Sequence, residues 1–328
     1  MSQPATPTTS MGLLKPTLTQ AGDVAILGND LDAIDKHDHA TSGTGGVAIP
    51  RVNLLVNGGF EIWQRGSGAF TTNGAYTADR WRIALGSGST LSVSKDVSNQ
   101  DAGSSACAAL TYGHSAATHF EQYIEDYVEL AGKTLSLSVR VKTSTASAVR
   151  ASIWDTVNGA HFSSYHSGSG SYETLTVTAT VATATTSVDV LVSLEVSCTA
   201  YVDNAMLTIG STASAYFPLM PADEWERCQR YYELIGAAND GTVMFGGYCL
   251  GSGSAEWPVP FRTQKATAPT VTINGTWTLT GTTSQPTLPV GSSIYGTTVR
   301  VPNSSASAQY CAARNVGSGA NITAEANP

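Results

Sequence analysis

The pattern of hydrophobic and polar positions changes several times along the chain. Residues 1–23 are rich in Pro, Thr and Ser and carry no period, which predicts an extended arm that orders only against a partner. From Asp23 to His37, Val24, Leu27, Leu31 and Ile34 fall at heptad a and d spacing, so a short helix with one apolar stripe is expected. Ordering costs roughly 1–2 kcal/mol per residue, and so short a stripe buries too little to hold itself together as a monomer. Three copies packed around it would cover it, whereas a lone copy would wait for a partner. The stretch from His39 to Pro50 is rich in glycine and reads as a linker.

Between Asn53 and Gly210 the period shortens. The β-branched runs Thr134–Val141, Thr174–Val181 and Ser187–Val196 alternate with Gly, Ser and Asn turns, the pattern of an antiparallel two-sheet β-sandwich. At 221–235 it lengthens again. Asp223 can cap a helix with Glu226 three residues on, and Trp225, Cys228, Tyr232 and Ile235 fall on one helical face. Beyond this helix, Thr242–Leu250, Glu256–Phe261, Thr270–Thr280 and Thr297–Val301 read as strands divided by Gly and Pro. The expected fold is mainly β. An anchoring arm, helix and linker occupy 1–50, a sandwich 51–210, a linker and hinge helix 211–236, and a small β-rich domain 237–328.

Composition narrows the function. Hydrophobic residues make up 41% of the 328 and charged residues 13%, so there is core material beneath an unusually neutral surface. A net charge of −8, with 17 scattered Lys and Arg, excludes a nucleic-acid groove, which needs clustered cations. The cysteines 107, 198, 228, 249 and 311 are odd in number, widely spaced and lack a CxxC pair; buried thiols are expected in place of disulfides or a zinc knuckle. No apolar run approaches the ~20 residues of a spanning helix, so membrane insertion is not expected. The start MSQPATPTTS lacks a basic and apolar signal core, which predicts synthesis in a cytoplasm and exit, if any, inside a particle released by lysis.

Three segments carry a resemblance. NLLVNGGFEIWQRGSGAFTTNGAYTADRWR at Asn53–Arg82 closely resembles the opening of a jelly-roll domain in tail-fibre and other minor structural proteins of tailed bacteriophages. SASAYFPLMPADEWERCQRYYE at Ser211–Glu233 is similar to the hinge helix of the same proteins. Pro260-Phe261, Ala268-Pro269-Thr270 and Ile322-Thr323-Ala324-Glu325 resemble, more weakly, their C-terminal β-domain. The resemblance implies a trimeric virion fibre or spike, docked by its N-terminus on portal, neck, tail or capsid proteins and projecting β-domains toward a host-surface glycan. A head-decorating fibre without receptor role shares every one of these features. The jelly roll is also similar to carbohydrate-binding modules, which implies a first strand like Asn57–Glu61 beside a last strand like Tyr201–Leu207. It further implies a structural calcium held by Glu61 and Asp203, although both also read as ordinary surface carboxylates.

The chemistry points away from catalysis. No GxSxG, HExxH or phosphate loop is present, and the acidic cluster Asp223, Glu224 and Glu226 sits with Arg227 and Arg230, where capping and ion pairing explain it. A polysaccharide-degrading enzyme with an appended binding module is the alternative, but it would normally need a repeat-rich catalytic segment, and no such repeat occurs. Sugar rings stack on exposed aromatics, and the candidates are Trp154, Tyr165, Tyr172, Trp257 and Trp277; Trp63 and Trp81 read as core. His37 and His39 form an HxH at the end of the first helix. Three copies on a threefold axis would supply six imidazoles to one transition metal, while a solvated helix end is the simpler reading. No cofactor is required.

Overall fold

The computed structural model describes residues 6–7, 14–15, 52–236, 243–249, 253–289, 291–315 and 319–327. The chain divides into a unit Met1–Val52 and a unit Asn53–Pro328. In the first, Thr6–Pro7 (β1) pairs antiparallel with Leu14–Lys15 (β2). The apolar stripe Val24, Leu27, Leu31 and Ile34, with His37 and His39, lies outside the described residues.

The second unit begins with the sandwich. Its strands are β3 (Arg82–Ala84), β4 (Thr90–Asp96), β5 (Cys107–Gly113), β6 (Thr118–Tyr123), β7 (Thr134–Thr143), β8 (Val149–Asp155), β9 (Gly159–Phe162), β10 (Tyr172–Thr180), β11 (Val188–Leu194) and β12 (Cys198–Ile209), with a one-turn helix α1 (Tyr127–Leu130) before β7. They form two five-stranded antiparallel sheets, ordered β10-β7-β12-β5-β4 and β3-β6-β11-β8-β9, in a jelly-roll β-sandwich. Alternation decides which side faces in. On β10 Leu175, Val177 and Ala179 are buried while the intervening threonines are exposed, as expected of a strand with one face in water. On the central β11 all seven residues are buried, so the outward side of this strand is covered as well. Phe60, Trp81 and Phe120 stack at the heart of the core, with Trp81 4.8 Å from Phe60 and 5.2 Å from Phe120.

The expected first strand Asn57–Glu61 is a tight turn. Asn57 and Phe60 both have positive φ, and the Asn57 carboxamide accepts from the Glu61 and Ile62 amides at 3.1 Å. The turn nests against a bulge of β12 between Asp203 and Met206, where the Ala205 amide donates to Gly58 O at 2.8 Å. A Cβ on Gly58 would stand 2.2 Å from Ala205 O, so glycine is required by this close approach.

The hinge helix α2 spans Pro221–Gln229, but Asp223 does not cap it. Met220 holds the cap position without a side-chain bond, Pro221 opens the first turn, and Asp223 and Glu224 lie inside it, where the helix dipole favours acids. Helical period also fails to extend to Tyr232 and Ile235. Tyr232–Ile235 is a strand, β13, claimed by backbone pairing with β20 (Asn321–Glu325). The remaining strands are β14 (Met244–Cys249), β15 (Ser254–Pro260), β16 (Thr270–Asn274), β17 (Thr278–Thr280), β18 (Gly296–Pro302) and β19 (Gln309–Arg314). They make small sheets β13-β20-β16, β14-β19-β17 and β15-β18 around Phe245, Trp277, Val299, Val301 and Ile322. The expected strand Thr270–Thr280 is two strands, broken at Gly275, which turns with φ +74°. All five cysteines are buried and free.

Residues of the fibre-like motifs meet where sandwich, α2 and C-terminal sheets join. Arg65 pairs with Asp79 at 3.4 Å and Glu325 at 2.6 Å while its guanidinium lies 3.7 Å over the Tyr232 ring. Gln64 donates to Asp79 at 2.5 Å and to Tyr232 O at 2.9 Å. Arg80 lies 3.9 Å over Tyr231 and donates to Asn327 and to Tyr123 O. Glu125 accepts from Arg230 at 2.6 and 3.1 Å and from the Tyr231 hydroxyl. Burial pushes Asp79 up to about 7 even with Arg65 beside it.

Candidate functional site

A groove of about 640 Å³ runs over the outer face of the sheet β3-β6-β11-β8-β9. Strand pairing aligns its walls in rows across the strands. Tyr123, Asp189 and Trp154 are direct partners on β6, β11 and β8, with Ala160 of β9 beyond. The next row runs Arg82, Glu121, Leu191, Ser152 and Phe162, and a third Ala84, His119, Ser193 and Arg150. Directly paired side chains on one sheet face stand about 4.5–5.5 Å apart at Cβ, so each row is a contiguous surface.

Both arginines are held in place. Arg82 donates to Glu121 at 2.7 Å and to the Tyr123 hydroxyl, with its guanidinium 4.3 Å over the Tyr123 ring. Arg150 pairs with Glu195 at 2.6 Å and lies 3.4 Å over Phe162 and 4.8 Å over Tyr165, whose hydroxyl donates to the same Glu195. Asp189 is different. It is 5% exposed, accepts from the Ser187 hydroxyl at 2.9 Å and has no ion-pair partner among the described residues. Burial chiefly, with Glu121 adding, pushes it up to about 7. Ser152 Oγ, buried in the middle row, has no hydrogen-bond partner among the described residues. Burial also lowers His119, which meets Ser193 Oγ at 3.1 Å. Flat aromatic faces beside fixed, directional polar groups are the equipment for holding a polyhydroxylated ring: faces for its C–H surface, polar edges for its hydroxyls.

No protein-family model matches this chain, and no curated protein matches it. Among solved structures, the chain is similar to the enzymatically active domain of bacteriophage CBA120 tailspike protein 4, at 18% identity over 48% of this chain and 22% of that one, with a TM-score of 0.35. It is similar to the CBM22-1 xylan-binding domain of Paenibacillus barcinonensis Xyn10C, at 14% identity over 51% of this chain and 100% of that one, with a TM-score of 0.36. A third likeness is to TmCBM61 in complex with β-1,4-galactotriose, at 15% identity over 48% and 99%, with a TM-score of 0.35.

The five aromatic candidates part company. Trp154 lines the groove, and Tyr165 stands at its rim on Arg150 and Glu195. Tyr172 lies on β10 of the opposite sheet and donates to Asn99 O at 2.8 Å. Trp257 packs partly buried against the C-terminal core, across Gly247. Trp277 is 2% exposed and 5.5 Å from Phe245, so it is a core residue and not a platform; the small sheets need a large apolar side chain to fill their centre. Tyr123, Phe162, Arg82, Glu121, Arg150 and Asp189 were missed. Their signal was present as polar and aromatic residues at alternate positions of otherwise apolar strands, as in THFEQY and VRASIW.

Glu61 and Asp203, the expected calcium ligands, are each engaged by protein donors. Asp203 is buried and accepts from the Asp101 amide at 2.9 Å and the Asn204 amide at 2.8 Å, while exposed Glu61 accepts from Ser105 at 3.0 Å. Among the described residues no three His, Cys, Asp or Glu converge, so a calcium here would draw most of its roughly 6–8 oxygens from backbone and amide carbonyls. Glu61 lines a second, smaller cleft of about 440 Å³ beneath Ala213–Tyr216, where Arg140 pairs with Asp101 at 2.6 Å, while Asp203 lies buried beside it.

Proposed function

We propose that this chain is a glycan-attachment subunit of a tailed-phage virion, presenting the β3-β6-β11-β8-β9 groove to polysaccharide on the host surface. The observation that carries the reading is the row of Tyr123, Asp189 and Trp154 beside Phe162 and two ion-paired arginines on one open sheet face. The virion assignment rests on the fibre-like motifs, whose residues form the joint between sandwich and C-terminal sheets. In this reading residues 1–50 anchor a homotrimer to portal, neck, tail or capsid proteins, and His37 and His39 of three copies hold one transition metal on the axis. The protein is made in the infected cytoplasm, leaves by lysis inside the particle and binds without cleaving.

Binding of the full-length protein to a panel of bacterial surface polysaccharides tests the glycan half. Trp154→Ala should weaken any binding by about threefold to tenfold, since one ring stacked on an aromatic face contributes on the order of 0.5–1.5 kcal/mol. Unchanged binding would remove the groove from the account, and release of reducing sugar would replace attachment with degradation. Gold-labelled antibody against the second unit, seen on intact particles by electron microscopy, tests the virion half.

A further inference from the structure

The groove has an unbalanced charge. Glu121, Asp189 and Glu195 face two arginines, and each arginine is already committed to one of the glutamates and to an aromatic face. Asp189 is left as a buried carboxylate with one hydrogen bond, from the Ser187 hydroxyl, and no ion pair among the described residues, Arg82 acting on it only from beyond pairing distance. Its direct neighbours across the strands are Tyr123 on one side and Trp154 on the other.

We propose that the ligand of this groove is an amino sugar whose protonated amine sits on Asp189 between the Tyr123 and Trp154 rings. The proposal rests on the glycan reading above and names the chemistry of the glycan. A buried carboxylate without a counter-ion is costly, and an ammonium group supplies what Asp189 lacks. The Trp154 ring beside it attracts the same cation through its quadrupole, most strongly where water is excluded, while one face of Tyr123 is already taken by Arg82. The burial that raises Asp189 toward neutrality in the free protein also strengthens its attraction for a cation once one arrives. Acidic sugars meet the opposite situation: a uronate would face Asp189 and Glu121 with no guanidinium free to pair with it. A neutral sugar gives Asp189 a hydroxyl but leaves its charge uncompensated.

The test compares three hexamers on the full-length protein at pH 7 and about 0.15 M salt: β-1,4-linked glucosamine, the same chain fully N-acetylated, and hexagalacturonate. Calorimetry and tryptophan fluorescence read the binding. The amine hexamer is expected to bind at least tenfold tighter than its N-acetylated counterpart, and hexagalacturonate not at all. Asp189→Asn, which replaces a carboxylate by a neutral isostere, should erase the preference while N-acetylated binding persists. Equal or tighter binding of the N-acetylated chain, or of hexagalacturonate, overturns the amine assignment in the unmutated protein alone and leaves the glycan reading standing. A preference that survives Asp189→Asn assigns it to the protein's general negative charge and also overturns the proposal. If no hexamer of any kind binds at millimolar concentration, the proposal falls together with the glycan reading of the groove.

Discussion

Three aspartates carry the pH response. Asp79 and Asp189 are each raised from the ordinary 3.8 to about 7 and Asp203 to about 6, all chiefly by burial. A raised folded-state value means that the folded protein binds the proton more tightly than the unfolded chain. The stabilising contribution is therefore complete below about 4 and is lost as pH climbs through 6 to 7. The melting temperature should decline between pH 5 and pH 8, against the usual carboxylate trend. Asp189→Asn should flatten part of that slope, stabilising the protein at pH 8 by on the order of 1 kcal/mol or more and changing little at pH 4. A steeper decline in the variant, measured by thermal melts across this range, would show that Asp189 is not the group. At this scale the sequence was a mixed guide. It placed Trp81 in the core and offered Trp154, which lines the groove, as a candidate platform, but it offered the buried Trp277 too, because one tryptophan in a β-rich run looks like another until its partners are known. Asp189 was invisible for the same reason. Nothing in SVDVLVSL separates a buried, unpaired carboxylate from a solvated one; the difference lies in what β6 and β8 bring alongside.

The elements read best where a single period governs them. β7, β10, β11 and β18 fall where their β-branched runs fall, and even the smaller C-terminal strands are largely where Gly and Pro bracket them. Boundaries fail where long-range pairing takes over. Helical spacing would carry α2 on to Ile235, but Tyr232–Ile235 has a backbone partner in β20 more than eighty residues later, which no local pattern discloses. The joint was hidden in the same way, although its residues were quoted as motifs: Gln64, Arg65, Asp79 and Tyr231 are positions that sequence alone leaves without a role, and Arg230, expected to pair with the acids of its own helix, pairs with Glu125. Arg65 tests the assignment. Arg65→Met removes the cation between Asp79 and Glu325 and leaves a buried carboxylate uncompensated, which should cost about 2–4 kcal/mol in denaturant unfolding at pH 8. Adding Asp79→Asn should recover most of that loss, because the charge left unpaired is then absent. If the double variant is no more stable than the single one, Arg65 acts by packing on Tyr232 and not by charge.

On the scale of the whole molecule, the proposed assembly and the proposed attachment would be separable, since the second unit holds its own cores while the sequence places the heptad stripe before it. Native mass measurement should find a trimer for the full chain and a monomer once residues 1–50 are removed. Metal analysis of the full chain should find one transition-metal equivalent per trimer, lost in His37→Ala with His39→Ala. A full-length monomer at micromolar concentration would mean that the stripe does not assemble the protein. One residue then matters beyond its site. Tyr123 belongs to the groove through its ring and to the joint through its carbonyl, which receives Arg80, and Glu125 two residues on takes Arg230 and Tyr231. Whatever tugs on the ligand therefore tugs on this strand end, and the strand end is riveted by charged hydrogen bonds to the sheets that follow. Occupying the groove would therefore be felt at the joint, and the packing of the C-terminal sheets would report, through Arg80 and Arg230, on a ligand they never touch.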